Sequence, residues 1–255
     1  MVRTLLVRGM LVGIIAGLLS FGFLKIYGEP QVDRAIAFEE QLDEAKAAAE
    51  KANAGHQGMH MSDEGEPELV SRPVQAGLGL FVAVVVYSVA FGGLFGLAFA
   101  FAYGRLPSGF TPQVLSALLA TFGFIAVYLV PNLKYPANPP SVGDPETIGT
   151  RTALYFIMIA ISLAAMVGSV SFKRFFVPRF GEWNANLIVA AFYIVVVGVA
   201  TLLLPAVNEV PEAFPAVVLW KFRIASLGAQ LIMWAVLGLL FGAWTQRTLA
   251  ARQLA

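Results

Sequence analysis

The sequence predicts an all-α integral membrane protein, a bundle of six transmembrane helices with one long extracytoplasmic loop. Two observations support this fold class. First, 58% of the 255 residues are hydrophobic and only 13% are charged, whereas charged residues make up about a quarter of a soluble domain. Second, six apolar stretches reach the roughly 20 residues that a helix needs to cross a bilayer.

The predicted spans cover residues 4–27, 75–103, 112–131, 151–171, 185–204 and 224–245, within a single membrane domain, residues 1–255. The third span is the weakest because Gly109, Pro112 and Pro131 border it. The first begins with Arg3 and Arg8, as a signal peptide would. Its apolar run is longer than a signal sequence needs, and no small-residue cleavage site follows it. We therefore expect a retained helix.

The distribution of basic residues predicts the orientation. The two termini and the connection 171–184 are basic, and Glu182 is the only acidic residue on that side. Lys and Arg in short connections favour the cytoplasmic side of a membrane. We therefore expect both termini in the cytoplasm and the remaining connections outside, although Lys221 and Arg223 then lie on the outer side.

Three proline-bearing segments lie on the predicted outer side. The longest, residues 131–152, holds five of the chain's fourteen prolines, and the others are residues 27–33 and 205–215. Proline fixes φ and biases the preceding residue toward extended backbone. We expect shaped, largely non-helical loops that the bundle gathers on one side of the membrane.

The long loop is predicted to be residues 28–74, and its first half is predicted to be helical. Pro30 suits a helix start, and Ala35, Phe38 and Leu42 recur at three- and four-residue steps. The other faces of this helix are acidic. Such a face attracts cations, and it is equally typical of a solvated helix.

The segment that follows contains both histidines of the chain, His56 and His60, close to Asp63 and Glu64. Imidazole and carboxylate together suit Co²⁺, Ni²⁺ or Zn²⁺. A flexible linker that contains two histidines by chance is an equally good interpretation.

Carboxylates and amides of the outer segments extend this candidate metal site. Oxygen ligands suit hard and borderline divalent cations, but Asn, Asp, Gly and Pro are also ordinary turn residues. The candidate ligands are His56, His60, Glu29, Asp33, Asp144, Glu146, Asn208 and Glu209.

Glycines at four-residue spacing recur in three spans, and such faces let helix backbones approach closely. They are Gly9, Gly13 and Gly17, then Gly92 and Gly96, and finally Gly238 and Gly242. We expect tight packing inside the bundle; a subunit interface is the alternative.

Several function classes are excluded by what the sequence lacks. The chain has no cysteine, and no span contains a histidine, which excludes thiolate chemistry and a His-ligated haem within the bundle. It has no P-loop for ATP and no basic run for nucleic acid. No nucleophile–base pair indicates an enzyme, so no catalytic residue is assigned. Polar residues within the spans are few, and Gln230 and Ser226 are the candidates for a transport path.

Four blocks of the sequence carry a family likeness. They are RGMLVGIIAGLLSFGF at 8–23, GEPQVDRAIAFEE at 28–40, LKYPANPPSVGDPETIGTRTALYF at 133–156 and LPAVNEVPEAFPAVVLWKFRIASLGAQ at 204–230. In these blocks the chain resembles the CbtA family of probable cobalt transporter subunits. This resemblance implies five or six spans, often a His-rich stretch after the first, and a small His-bearing membrane partner, CbtB, in cobalt uptake linked to cobalamin synthesis. In this chain the His-rich stretch is reduced to His56 and His60.

These observations and the resemblance together predict a bacterial plasma-membrane subunit that carries Co²⁺ inward. The ion is cargo, and we expect no permanently bound cofactor. The alternative is a non-transporting assembly or sensing subunit that docks a partner through its proline-rich loops. The scarcity of polar groups in the spans, which offer mainly Ser, Thr, Gln and Tyr with Lys25 near one end, favours a path shared with a partner or this alternative.

Overall fold

The computed structural model describes residues 1–53, 70–105, 110–140 and 142–253. Within these ranges the regular elements are all helical. Helices α1 and α2 are Val2–Tyr27 and Glu29–Asn53, and α3 and α4 are Arg72–Ala102 and Pro112–Lys134. Helix α5 is Ile148–Leu203, and α6 runs from Ala216 to Gln253. Short π-helical segments interrupt α3 at Gln75–Gly79, α4 at Phe124–Leu129 and α6 at Leu237–Phe241.

Five of these elements, all except α2, are long and apolar enough to cross a membrane. This agrees with the predicted class, a helical membrane protein. The predicted spans 151–171 and 185–204 both lie in α5, except for Leu204, so the structure has five candidate spanning helices among the described residues where the sequence predicts six.

Helix α5 nevertheless folds back on itself at Gly181, the one residue inside it with non-helical backbone angles (φ 76°, ψ 167°). The hydroxyls of Ser162 and Tyr193 are 2.8 Å apart, and the rings of Phe172 and Phe192 lie 6.0 Å apart. In a straight helix the first pair would be separated by about 46 Å. Residues 148–180 and 182–203 therefore form two antiparallel arms, and a positive φ favours glycine at the turn.

The connections differ from the prediction in three places. Helix α2 begins at Glu29, so the predicted loop 27–33 is reduced to Gly28; Pro30 fits the first turn of a helix, where no N–H is needed. Helix α4 continues through Pro131 to Lys134, which leaves a shorter irregular segment before the 3₁₀ turn Pro145–Thr147. Helix α6 begins at Ala216, earlier than predicted, directly after Pro215.

Helices α1 and α3 pack antiparallel with their backbones in contact, as the glycine spacing predicts. A Cβ atom at Gly9 would overlap the carbonyl oxygen of Gly92, and one at Gly13 would overlap that of Ser88. At Gly96 the added Cβ would lie 2.5 Å from the carbonyl oxygen of Leu5. These glycines are therefore required by packing.

Helix α6 packs against α1 and α4. The Ser20 hydroxyl of α1 donates to the carbonyl of Ala229 at 3.1 Å, and the Ser116 hydroxyl of α4 donates to that of Gly238 at 2.7 Å. A Cβ at Gly238 would lie 2.6 Å from the Cβ of Ala120. The third predicted glycine pair thus also serves close packing within the chain.

The bundle has two distinct ends. At the terminal end, Arg8 of α1 donates to the hydroxyl of Thr245 of α6 at 3.0 Å. At the loop end, the Lys25 ammonium donates to the carbonyl of Ala76 at 2.9 Å. Helices α1 and α6 therefore meet at one end of the bundle, and the irregular segments 135–140, 142–144 and 204–215 lie at the other.

A cluster of aromatic side chains fills the terminal half of the bundle. Phe95 and Phe99 of α3 contact Phe241 of α6, with ring centroids 5.4 and 5.1 Å apart. Val12 and Leu237 are fully buried beside them. The terminal half is therefore closed by apolar packing.

The glycine contact between α1 and α3 yields a first prediction. Gly9→Ala forces two backbones apart and should destabilise the protein by about 1–3 kcal/mol, the usual effect of overpacking. The measurement is the thermal unfolding midpoint of the detergent-solubilised protein.

Gly22→Ala is the matched control, because Gly22 lies in the same helix and a Cβ there meets nothing within 4 Å. It should leave the midpoint unchanged or raise it slightly, since alanine is the better helix former. Equal effects of the two substitutions would contradict the backbone contact.

Candidate functional site

The segments predicted to gather outside the membrane do meet at the loop end. Ala35 of α2, Val142 and Phe214 are buried together, and the rings of Phe38 and Phe214 lie 5.1 Å apart. We call this assembly the loop cap: residues 29–38, 135–140, 142–147 and 204–215. An apolar centre holds it together, and its polar groups lie around that centre.

Glu209 ties two parts of the loop cap together. Its carboxylate accepts hydrogen bonds from the Asp144 backbone N–H at 2.9 Å and from the Thr147 hydroxyl at 2.7 Å. The Nε atom of Arg151 lies 3.3 Å from the same carboxylate. The backbone N–H of Asp144, the Thr147 hydroxyl and the charge of Arg151 together lower the pKa of Glu209 below its ordinary value.

Arg151 fits this position because Gly143 leaves room for it. Gly143 has φ 118°, which favours glycine, and a Cβ atom there would overlap the Arg151 guanidinium. The guanidinium also donates to the carbonyl of Asp144 at 3.0 Å. One arginine at the start of α5 therefore fixes both the glycine turn and the Glu209 carboxylate.

Arg223 of α6 and Tyr135 hold the loop that follows α4. Arg223 donates from Nε to the Ala137 carbonyl at 3.2 Å and from Nη2 to Asn138 Oδ1 at 2.8 Å. The Tyr135 hydroxyl donates to the Pro205 carbonyl at 2.8 Å. The bonds to Ala137 and Pro205 satisfy backbone carbonyls of the loops, and the bond to Asn138 fixes a loop side chain.

Arg72, at the start of α3, binds both acidic residues at the start of α2. Its Nη2 atom lies 2.7 Å from Glu29 Oε2 and 2.8 Å from Asp33 Oδ1. Glu29 is buried, whereas Asp33 is exposed. This ion-pair pattern anchors α2 to the beginning of α3.

The candidate metal ligands fall into three groups. Glu29, Asp33 and Glu209 interact with arginines. The exposed Asp144 binds the Glu146 N–H at 2.9 Å, while the side chain of Glu146 and that of Asn208 are exposed.

His56 and His60 form the third group, which lies outside the described residues. Among the residues that the structure describes, no three His, Cys, Asp or Glu side chains are arranged to hold a metal ion. The eight-residue metal site stays a prediction.

The arginines that organise the loop cap are the residues that the sequence analysis missed. Arg72, Arg151 and Arg223 all lie within eight residues of a helix start, next to acid- and proline-rich segments. Arginine binds carboxylates through a planar fork and remains charged when partly buried. That position along the chain is the signal that would have indicated them.

The two polar residues proposed for a path within the spans have different surroundings. The hydroxyl of Ser226 is 2.8 Å from that of Tyr128, so it joins α6 to α4. Gln230 lines a cavity between α1, α3 and α6, and its Oε1 atom is buried with no hydrogen-bond partner among the described residues.

Comparison with known proteins gives one family. The sequence model of the family described as "Probable cobalt transporter subunit (CbtA)" matches residues 2–246, nearly the whole chain. Searches of curated proteins and of solved structures found no match.

The lowered pKa of Glu209 predicts a pH dependence of stability. The charged form is the one that the fold stabilises, so the stabilisation is present above the pKa of an unfolded glutamate, about 4.3. It is lost as the pH falls through the lower pKa of the folded state. Glu209→Gln should therefore lower the unfolding midpoint by a few degrees at pH 7 and by less at pH 3.

Glu212→Gln provides the control, because this exposed carboxylate lies in the same loop and makes no hydrogen bond or ion pair with the described residues. Its midpoint should follow that of the unmodified protein across the pH range. A Glu209→Gln difference that stays constant from pH 7 to pH 3 would show that the charge is not the cause.

Proposed function

Because the chain belongs to the CbtA family of probable cobalt transporter subunits, we propose that it is the membrane subunit of a divalent transition-metal uptake system and that Co²⁺ is its cargo. The family match over residues 2–246 is the observation that carries this proposal. Five apolar helices and a loop cap with exposed carboxylates agree with it. We further propose a bacterial plasma membrane location, cytoplasmic termini, and uptake linked to cobalamin synthesis.

In this proposal the loop cap collects the ion. The exposed carboxylates of Asp144 and Glu146 raise the local concentration of cations near the bundle. Glu29, Asp33 and Glu209 have arginine partners, so their first role is to shape the cap. His56 and His60 would supply nitrogen ligands.

A partner subunit completes the system in this proposal. The described residues offer no dense metal site of their own, and the helices carry few polar groups. A small His-bearing membrane protein would provide ligands that this chain lacks.

A fold-back at Gly181 also fits six crossings. The shorter arm of α5, residues 182–203, would reach about 33 Å at 1.5 Å per residue, and the apolar core of a bilayer is about 30 Å thick. Six crossings place both termini on one side, and the contact of Arg8 with Thr245 is consistent with that arrangement.

The alternative is a non-transporting assembly or sensing subunit that docks a partner through the loop cap. This alternative is favoured because three of the proposed metal ligands, Glu29, Asp33 and Glu209, already form ion pairs with arginines.

The direct test measures accumulation of ⁵⁷Co²⁺ at nanomolar concentration in cells with the gene, in cells without it, and in cells that also express the small partner. The proposal expects several-fold higher uptake when the gene is present. Equal uptake in all three strains, with the partner still co-purifying, would favour the docking alternative.

The collecting role of the loop cap predicts the effect of a double substitution. Asp144→Asn with Glu146→Gln should raise the Co²⁺ concentration for half-maximal uptake a few-fold and leave the maximal rate unchanged, because the removed charges attract the ion without lining its path. The effect should shrink at high ionic strength, where exposed charges are screened.

Glu182→Gln is the control at the opposite end of the protein, where Glu182 pairs with Lys173 at 2.7 Å. It should leave the half-maximal concentration unchanged. A loss of maximal rate in the double variant would instead place these carboxylates on the path. His56→Ala with His60→Ala tests the histidine segment in the same assay.

A further inference from the structure

The turn of α5 around Gly181 combines charged and aromatic side chains. Residues 171–184 contain three bases and one acid together with five aromatic residues. Four of the aromatic side chains are exposed, namely Phe172, Phe175, Phe180 and Trp183. The protein itself therefore covers little of this turn.

This composition fits one layer of the membrane. Charged side chains are costly in the hydrocarbon core, so the turn lies outside that core. Exposed phenylalanine and tryptophan side chains are unfavourable in water, and aromatic side chains are enriched where membrane and water meet. The turn of α5 therefore belongs in the headgroup layer.

Two of the three bases are left for an anion from outside the protein. The Nζ atom of Lys173 lies 2.7 Å from Glu182 Oε2, so this pair is neutral and joins the two sides of the turn. The guanidinium groups of Arg174 and Arg179 are exposed, and neither forms a hydrogen bond or an ion pair with the residues that the structure describes. Arg174 instead lies over the ring of Phe175, with 4.9 Å between Cζ and the ring centroid.

The arginines at the loop end differ from these two. Arg72, Arg151 and Arg223 each bind carboxylates or carbonyls of the protein. A guanidinium presents five N–H donors in one plane, a geometry that matches the oxygens of a carboxylate or a phosphate. At the turn of α5 these donors are exposed in the layer that contains the lipid phosphates.

The backbone of the turn keeps the two arginines close to the end of the first arm. Pro178 lies inside the helix and cannot donate to the carbonyl of Arg174, four residues earlier. Gly181 then reverses the chain with a positive φ. Arg174 and Arg179 thus flank the proline within the last turns before the reversal.

Little protein holds this end of α5. Only 6% of the most apolar window of the helix is buried. Its packing cluster lies toward the loop end, where Leu154, Met158 and Ala200 meet Val130 and Tyr135. The position of the turn therefore depends on the lipid around it.

We propose that the turn of α5 binds the headgroup of an anionic phospholipid, with Arg174 and Arg179 donating to its phosphate oxygens and Phe175 and Trp183 beside its acyl chains. The two unbalanced positive charges favour a headgroup with net negative charge over a zwitterionic one, by about five-fold for each arginine. The exposed aromatic side chains favour a lipid over a soluble phosphate. This inference concerns the lipid surroundings and does not depend on the cargo of the protein.

The test measures binding of dioleoyl phosphatidylglycerol to the full chain in detergent, by native mass spectrometry and by the thermal unfolding midpoint. Dioleoyl phosphatidylcholine is the comparison lipid, because it has the same chains and a phosphate but no net charge. The unmodified protein should bind phosphatidylglycerol at least ten-fold more tightly, and only this lipid should raise the midpoint by several degrees. Equal binding of the two lipids would overturn the proposal.

Arg174→Gln with Arg179→Gln should weaken phosphatidylglycerol binding at least ten-fold, because both donor groups and both charges are lost. The midpoint without lipid should stay unchanged, since both side chains are exposed. Arg174→Lys with Arg179→Lys should retain part of the affinity, because the charge remains and the planar fork is lost.

Arg34→Gln with Lys46→Gln is the control, because it removes the same charge from exposed side chains of α2, which is not a candidate spanning helix. It should change the lipid affinity by less than two-fold. An equal loss in the two glutamine double variants would reveal general attraction to a basic protein and would overturn the proposal. Displacement of the lipid by millimolar inorganic phosphate would also overturn it, since the arginines would then bind a soluble anion.

Discussion

Contact between the backbones of α1 and α3 is the constraint on which the rest of the structure depends. Within a bilayer, apolar side chains gain little by leaving lipid for protein, so close packing must hold the helices together. The glycines at 9, 13, 92 and 96 allow that packing. The contact also fixes how far along α3 each residue of α1 lies. Lys25 therefore reaches Ala76, and Arg72 reaches the first turn of α2.

The packing of α1 against α3 sets the position of the loop cap, and contacts with arginines set its shape. Three segments that lie far apart in sequence meet on a small apolar centre at Phe214. Arginines then bind carboxylates and loop carbonyls around it. Because these carboxylates are already paired, acidic composition alone does not identify a metal site. The exposed carboxylates of Asp144 and Glu146 are the better candidates for contact with an ion.

Hydropathy and periodicity predict much of this fold. Apolar length locates the membrane helices, and the spacing of Ala35 and Phe38 predicts α2 correctly. The gathering of the proline-rich segments was also predicted. The turn of α5 at Gly181 was expected only as a broader connection, because a single residue of positive φ leaves no mark in hydropathy.

Position along the chain indicates these arginines, but most of their partners could not be predicted because the contacts join residues distant in the chain. Arg223 and Asn138, for example, are separated by 85 positions. Gln230 was noted from its polarity alone, but the cavity around it could not be foreseen. A cavity is the space that three packed helices leave unfilled, and no local pattern records that space. Ser88 is buried because of the way α1 packs against α3 at Gly13 and Gly17.

The candidate spanning helices differ in how much of each is buried within the protein. Only 6% of the most apolar window of α5 is buried, against 22–44% in the other four candidate spans. Helix α5 is thus peripheral, and it contributes Arg151 to the contacts of the loop cap but no residue to the cavity.

Charged side chains surround the loop cap. Among the described residues, the cavity between α1, α3 and α6 is instead bordered only by uncharged side chains. This scarcity of intramembrane charge favours a path shared with a partner, or the docking alternative, over a path through this chain alone.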